Sequence, residues 1–231
     1  MDKAIEWLST RSQKVAAAKS GRLTKQGLVG MAISPDASSA ALVQLNCETD
    51  FVARNVDFQT VVNEIATLTL QGKELPATLV SDLVGKFREN IVLGNRSVLR
   101  ASAGGLVGSY LHGKLGPGVG TLGALVSLAG GPQTLADQLA LHVAGANPRY
   151  LKRDEMPIEE RNAEESKIKA GESNKPPQVQ AKIVQGKLQK FYGEHCLEDQ
   201  NFIVGELEGT PISQLLKGAK IEGFLRLALA K

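Results

Sequence analysis

The stretch Gly27–Asn46, GLVGMAISPDASSAALVQLN, decides the fold because it has the pattern of a β-hairpin. Gly27–Ser34 and Ala41–Asn46 are apolar segments of strand type, and the residues between them, Pro35–Ser38, favour a tight turn. Two antiparallel strands joined this closely do not fit a regular alternation of strands and crossover helices. The hairpin therefore favours a fold in which helices pack on antiparallel sheets.

Helical and extended patterns alternate along the rest of the chain. Apolar residues at helical spacing predict helices over Val56–Leu70 and Val80–Ile91, and extended patterns predict three strands between Arg96 and Leu128. The later predictions are a helix from Pro132 to before Asn147, a short helix at Ser213–Leu216 and a strand at Ile221–Leu229. We therefore predict the α+β class, with two small antiparallel-sheet subdomains packed with helices.

Residues 152–175 are highly charged, with six basic and seven acidic side chains. They predict two solvent-facing helices, 157–170 and 178–192, joined as a protruding antiparallel hairpin, with a charged linker as the alternative. The expected domain organisation is an N-terminal helix and linker (1–22), an N-terminal core subdomain (23–95), a C-terminal core subdomain (96–156 and 193–231) and the helical hairpin (157–192).

Composition excludes several classes of protein. The 231 residues carry 27 basic and 24 acidic side chains, and a net charge of +3 is far from that of a dedicated nucleic-acid binder. Two cysteines, Cys47 and Cys196, cannot form a disulfide framework and suggest a reducing compartment. Because no apolar run reaches about 18 residues, we expect no membrane span. The 10 aromatic residues are few, so an exposed one would be informative.

Two segments could carry chemistry. Gly118–Gly123 matches the G-x-G-x-x-G pattern, but an extended pattern follows it where a dinucleotide site needs a helix, so a hairpin loop is favoured. Cys47 could be a nucleophile paired with His112 or His142, although a half-buried cysteine is the more common situation. The spacings of the histidines and cysteines match no zinc motif.

Phe51 stands at a predicted corner between strand and helix, where Thr49 and Asp50 can cap the helix. An aromatic residue at such a corner is either a plug of the protein's own core or an exposed anchor for another protein. From the residues alone the core plug is favoured.

Five segments, in order along the chain, resemble the elongation factor Ts family, whose members are guanine-nucleotide exchange factors of elongation factor Tu. NCETDFVARN resembles the family signature, and RENIVLGN followed by Arg96 resembles its GENI segment. The other segments are GSYLHG (Gly108–Gly113), LALHVAGANPRYL (Leu139–Leu151) and IVQGKLQKFYGEHCLEDQNFI (Ile183–Ile203). Together they span nearly the whole chain.

The resemblance implies a protein that is not an enzyme, has no cofactor and binds elongation factor Tu. It places Phe51 as a wedge in an apolar crevice beside the Mg²⁺ site of that partner, with Asp50 and Val52 beside it. Leu122, Gly123 and His142 match family residues expected at the partner's far domain; for His142 a role in the core is the alternative. No direct binding of nucleotide, nucleic acid or membrane is expected.

Two departures from the family pattern bear on origin and function. The family normally begins with a ubiquitin-associated-like domain, and this chain begins at what resembles that domain's last helix. The long Gly-rich loop Lys114–Thr121 and the basic pI resemble organellar members, so the mitochondrial matrix is expected, with the bacterial cytoplasm or a chloroplast as alternatives. The alternative function is a small α+β enzyme that uses Cys47 or binds a nucleotide at this loop.

Overall fold

The computed structural model describes residues 16–172, 174 and 176–229, and it confirms the α+β class. The N-terminal helix and linker predicted at 1–22 lie only partly among these residues, of which 16–19 are helical. The first sheet contains β1 (Gln26–Ile33), β2 (Ser39–Cys47), β3 (Val92–Arg100) and the short β5 (Val119–Gly120), in the order β3-β2-β1-β5. The second sheet contains β4 (Leu106–His112), β6 (Leu122–Ala129) and β7 (Lys220–Ala228), in the order β4-β6-β7.

The predicted hairpin is the centre of the first sheet. β1 and β2 pair antiparallel from Gln26 opposite Cys47 to Ile33 opposite Ala40. The Asp36 carboxylate closes the turn by accepting hydrogen bonds from the Ser34 hydroxyl at 2.6 Å and from the Ser38 backbone N–H at 3.1 Å. Short polar side chains that bond their own turn are the chemistry that this stretch of sequence indicated.

Four layers build the core. Alternate residues of the strands point to opposite faces, so Val29 and Leu42 meet Val107 and Leu125 where the two sheets pack face to face. The outer face of the first sheet packs on α2 (Val56–Leu70), and the outer face of the second sheet packs on α4 (Gln133–Ala146). The result is a helix–sheet–sheet–helix arrangement.

Close packing between β4 and α4 depends on a glycine. A Cβ atom added to Gly108 would overlap the backbone of Ala136 and Asp137 in α4. The Asp137 carboxylate accepts a hydrogen bond from the backbone N–H of Ser109 at 2.9 Å, which joins the same two elements. Gly108 therefore sets how closely the helix can approach the sheet.

α1 (Asp50–Ala53) is a single turn after β2, and α3 (Leu79–Phe87) follows α2. The sequence predicted that α3 continues to Ile91, which is wrong. Arg88 ends the helix in the left-handed conformation, with φ of +58°, and Ile91 is buried in the first core beyond the helix end.

The predicted border between the core subdomains, at residues 95 and 96, lies inside β3. That strand pairs with β2 from Val92 to Arg100, so it belongs to the first sheet over its whole length. The register shifts here because two residues of β3, Gly94 and Asn95, stand opposite the single residue Gln44 of β2, and the ladder continues past this bulge.

The Gly-rich loop joins β4 to β6, as the hairpin interpretation requires. Its Val119–Gly120 segment pairs with β1, and the strand β6 follows directly. Asn63 of α2 donates a hydrogen bond to the backbone oxygen of Pro117 at 2.9 Å. The G-x-G-x-x-G match therefore lacks the helix N-terminus on which a dinucleotide phosphate would bind.

The charged segment forms the predicted helical hairpin of α5 (Ile158–Gly171) and α6 (Pro177–His195). Its base is attached to the core by ion pairs: Arg149 binds the Glu160 carboxylate through both guanidinium NH₂ groups, and Arg153 binds Asp199. Arg153 also stacks over the Tyr192 ring, 4.5 Å from its centre. The short α7 (Ile212–Leu215) then leads into β7.

Candidate protein-interaction site

Phe51 is an exposed aromatic ring on the single-turn helix α1. Its exposed fraction is 82%, so the prediction that it plugs the protein's own core is wrong. Thr49 caps the turn, because its hydroxyl oxygen accepts a hydrogen bond from the Val52 backbone N–H at 3.4 Å. Among the large apolar side chains of the described residues, that of Phe51 is the most exposed, so the ring is a candidate anchor.

The residues around Phe51 divide into an outer and an inner set. Asp50 is exposed and forms an ion pair with Arg54 at 3.4 Å, which contributes little because both groups are in water. Val52 packs partly on the first core, and Ala53 is buried there. We call Thr49–Arg54 the Phe51 corner: its rear face is fixed in the core while Phe51 points outward.

The Glu89 carboxylate holds the start of the Phe51 corner. It accepts hydrogen bonds from the backbone N–H groups of Glu48 at 2.9 Å and Thr49 at 3.0 Å, and also from the Thr49 hydroxyl. Sequence reasoning identified the Glu89 segment only as part of a resemblance. Both segments, NCETDFVARN and RENIVLGN, were recognised as family motifs. A single sequence, however, does not show that residues 40 positions apart are in contact.

A reciprocal set of bonds joins the same region to the linker before β1. The Glu48 carboxylate accepts from the Asn90 backbone N–H at 2.6 Å, and the Asn90 side chain donates to the backbone oxygen of Arg22 at 2.7 Å. Lys19 donates to the backbone oxygen of Arg88. The strand end, the linker and the end of α3 therefore meet beside the Phe51 corner.

Arg88 carries a conformational cost at this junction, because a left-handed backbone is unfavourable for a residue with a Cβ atom. We expect Arg88→Gly to raise the free energy of unfolding by about 1 kcal/mol, measured by chemical denaturation. The backbone oxygen that accepts from Lys19 remains in the variant. Gln71 also ends a helix, but with φ of −76°, so Gln71→Gly should bring no gain. Equal effects at the two positions would contradict this explanation.

The hypothesis of a nucleophilic Cys47 is contradicted. Its side chain is fully buried, and its thiol donates to the backbone oxygen of Thr49 at 3.2 Å. Burial, with a smaller effect of the Glu89 charge, raises the pKa of the thiol to about 12. Such a thiol stays protonated at neutral pH and lacks the thiolate that a nucleophile needs.

Leu122 and Gly123 begin β6 and face opposite sides of the second sheet. Gly123 faces the first sheet, where an added Cβ would lie 2.6 Å from the Leu42 side chain. Leu122 is half-buried and lines a groove of about 820 Å³ on the other side. The groove also contains Tyr110, Ile203 and Arg226. Leu122 is therefore available to a partner, whereas Gly123 permits close packing of the sheets.

His142 is buried in α4. Its Nε2 atom lies 2.8 Å from Oε1 of Gln200, its Nδ1 accepts from the Ile203 backbone N–H at 3.3 Å, and its ring stacks on Phe202. Burial lowers the pKa of the imidazole, although the Gln200 contact raises it. In this structure His142 has the core role, and direct contact with a partner stays a prediction.

Gln26 connects the Phe51 corner with the groove. It pairs with Cys47, two residues before the corner, and it also lines the groove beside Leu122. Ile203, which His142 supports, lines the groove as well. The sequence-predicted residues therefore lie in two regions that adjoin at the first residue of β1. Sequence reasoning did not single out the groove residues Tyr110, which lies within the GSYLHG segment, and Arg226, which lies in none of the five segments.

Within residues 16–172, 174 and 176–229, no cluster of three or more His, Cys, Asp or Glu side chains could hold a metal ion. None of the helices described there combines the length and hydropathy needed to cross a bilayer.

The sequence is similar to one protein family and to curated proteins that carry the same family description. The family model described as Elongation factor TS matches residues 48–231. Elongation factor Ts of Ruegeria pomeroyi is 35% identical over 242 residues, which cover 100% of this chain and 82% of the relative. Elongation factor Ts of Deinococcus radiodurans is 36% identical over 244 residues, which cover 99% and 88%. The same factor of Alkalilimnicola ehrlichii is 35% identical, with 98% and 80% covered.

These relatives are bacterial, and they give no support to the expected mitochondrial origin. The matched region includes the Phe51 corner, the helical hairpin and the groove residues other than Lys25 and Gln26. The agreement over nearly the full chain accords with the motif order and with the α+β architecture. The chain belongs to the elongation factor Ts family.

Proposed function

We propose that this protein binds elongation factor Tu in its GDP form and promotes GDP release, so that GTP can be loaded. The single observation that carries the proposal is the 82% exposure of Phe51 within the family signature. In this mechanism the ring enters an apolar crevice of the partner's nucleotide-binding domain and disturbs the Mg²⁺ site, with Asp50 and Val52 beside it.

Exchange of this kind requires that GDP and this protein, as two ligands of elongation factor Tu, affect each other's binding. A factor that weakens GDP binding must itself be bound more weakly by the GDP form than by the nucleotide-free form, by the same ratio. Burial of one phenylalanine ring supplies roughly 2–3 kcal/mol, which is one to two orders of magnitude in affinity. Phe51 alone therefore does not account for exchange, and a shift of the packed elements that support Mg²⁺ must add to it.

A second contact is proposed at the groove, through Leu122, Gly123 and His142. Of these, Leu122 presents surface to a partner, while Gly123 allows the strand to pack against the first sheet. His142 accepts the backbone hydrogen bond of Ile203, whose exposed side chain lines the groove. In the unbound protein His142 therefore lies behind the proposed contact surface, which Ile203 lines.

The protein itself is proposed to bind neither nucleotide nor nucleic acid. The Gly-rich segment is paired with β1 and followed by a strand, which is unsuited to hold a phosphate. The charges after the first 30 residues are balanced, which is not typical of a nucleic-acid binder. The mitochondrial matrix stays a prediction, which rests on the length of the Lys114–Thr121 loop and the basic pI.

The test of this proposal is the release of a fluorescent GDP analogue from elongation factor Tu. The protein should accelerate release in proportion to its concentration until the partner is saturated. In nucleotide-free buffer the two proteins should co-elute, and GDP with Mg²⁺ should separate them. An unchanged release rate, or a complex that GDP does not affect, would contradict the proposed function.

A further inference from the structure

Glu89 lies 38 residues after Phe51 in the sequence and is joined to the same corner by hydrogen bonds. Its carboxylate accepts hydrogen bonds from two successive backbone N–H groups, those of Glu48 and Thr49, and from the Thr49 hydroxyl. Hydrogen bonds to an ionised carboxylate are about twice as strong as neutral ones. Three of them act on the two residues that lead into α1.

Thr49 transmits this restraint to Phe51. Its hydroxyl donates to Glu89 and at the same time accepts from the Val52 backbone N–H, so it fixes the residues on both sides of Phe51. α1 has only four residues and cannot be stable through its own hydrogen bonds. The orientation of the exposed ring therefore depends on a side chain from outside the helix.

Other contacts also hold the corner: Ala53 is buried in the first core, and the Cys47 thiol donates to the Thr49 backbone oxygen. Val52 is only partly buried, and the Asp50–Arg54 ion pair lies in water. The adjoining Glu48–Asn90 bond holds the end of β2 but does not reach Phe51. The Glu89 bonds differ from these contacts because they are made to the backbone N–H and the hydroxyl of Thr49, the cap residue of α1.

We propose that Glu89 is a positioning residue for exchange: it preorganises the Phe51 corner so that the ring is presented to elongation factor Tu without a cost of ordering. The proposal rests on the proposed function of Phe51. Without the carboxylate the corner samples other conformations, and each binding event must select the competent one. Glu89 does not itself contact the partner in this account.

Three substitutions separate positioning from charge and from general stability. Glu89→Met keeps the length of the side chain but cannot accept hydrogen bonds. Glu89→Gln loses the charge, yet its amide oxygen can accept from both N–H groups while its NH₂ donates to the Thr49 hydroxyl oxygen. Glu74→Met is the matched control, since Glu74 is an exposed glutamate of the same half of the protein.

The first experiment is independent of exchange activity. Amide hydrogen exchange of the peptide around residues 47–54 should be at least about tenfold faster in Glu89→Met, the factor that corresponds to one lost hydrogen bond to a charged group. Glu89→Gln should restore most of the protection, and Glu74→Met should not differ from the parent protein. Unchanged protection in Glu89→Met would overturn the positioning role.

The second experiment is a double-mutant cycle on stimulated GDP release, with rates corrected for the folded fraction. Glu89→Met should lower the rate by about tenfold when Phe51 is present and by less than about twofold in the Phe51→Ala background, because contacting residues couple while independent ones do not. Equal losses in both backgrounds would show that Glu89 acts elsewhere and would overturn the proposal.

The two experiments also distinguish this proposal from the proposed function. If the parent protein does not stimulate GDP release, the proposed function fails, while hydrogen exchange still reports whether Glu89 orders the corner. If release is stimulated but Phe51→Ala has no effect, Glu89 cannot act through Phe51, and the inference fails although the function stands.

Discussion

Phe51→Ala is expected to lower the rate of stimulated GDP release about 10- to 100-fold at sub-saturating concentration, because the lost burial is roughly 2–3 kcal/mol. The fold should not change, since the ring is 82% exposed and is not part of the hydrophobic cores. The measurement is the release rate of fluorescent GDP as a function of protein concentration, together with thermal unfolding of the variant.

The control for this variant is Ile33→Ala. Ile33 is an apolar side chain with 44% exposure, at the end of β1 opposite to the end that adjoins the Phe51 corner. Its substitution should leave GDP release within about twofold of the parent rate, as for surface changes away from an interface. If Phe51→Ala lowered thermal stability strongly, the ring would pack on its own chain and the anchor role would be wrong.

Gly108→Ala is expected to destabilise the protein by about 3 kcal/mol or more, the upper range for overpacked cores. The added methyl group would overlap the backbone of Ala136 and Asp137, which cannot move aside as a flexible side chain can. α4 would have to separate from β4, with loss of the Asp137–Ser109 hydrogen bond. In a chain of this length the thermal midpoint should fall by about 2–4 °C for each kcal/mol.

Gly186→Ala is the matched control, because it makes the same chemical change in α6. An added Cβ there meets nothing within 4 Å, so only the helix propensity changes. We expect a gain of about 0.5–1 kcal/mol in the free energy of unfolding. Similar losses at both positions would mean that the close approach of α4 to β4 is not the cause.

The local elements were well predicted from the sequence. The bounds Val56–Leu70 of α2 agree with the prediction, because apolar residues at helical spacing and the Asn55 cap specify that helix locally. The central hairpin was predicted for the same reason, since Asp36 bonds within its own turn. Where one residue changed the backbone conformation, as Arg88 does at the end of α3, the boundary was missed.

The environments of individual side chains were harder to predict. The sequence indicated correctly that Thr49 caps a helix, but it did not show which side of that turn packs on the core: Ala53 is buried, Phe51 is exposed, and Thr49 is bonded by Glu89 from far along the chain. His142 is similar: its partners Gln200 and Phe202 are some 60 positions away and surround it only after the hairpin returns. Long-range contacts of this kind leave no periodic signal in a single sequence.

The order of the strands has a consequence for folding during synthesis. β6 is the central strand of its sheet, but its neighbour β7 begins only at Lys220, and the whole helical hairpin is made between the two. At about 5–20 residues per second, a ribosome needs several seconds to synthesise the residues between the end of β6 and the start of β7. During this time one edge of β6 has unpaired backbone groups, which are prone to pair with other chains. The nascent protein should therefore need protection by a chaperone until its last strand emerges.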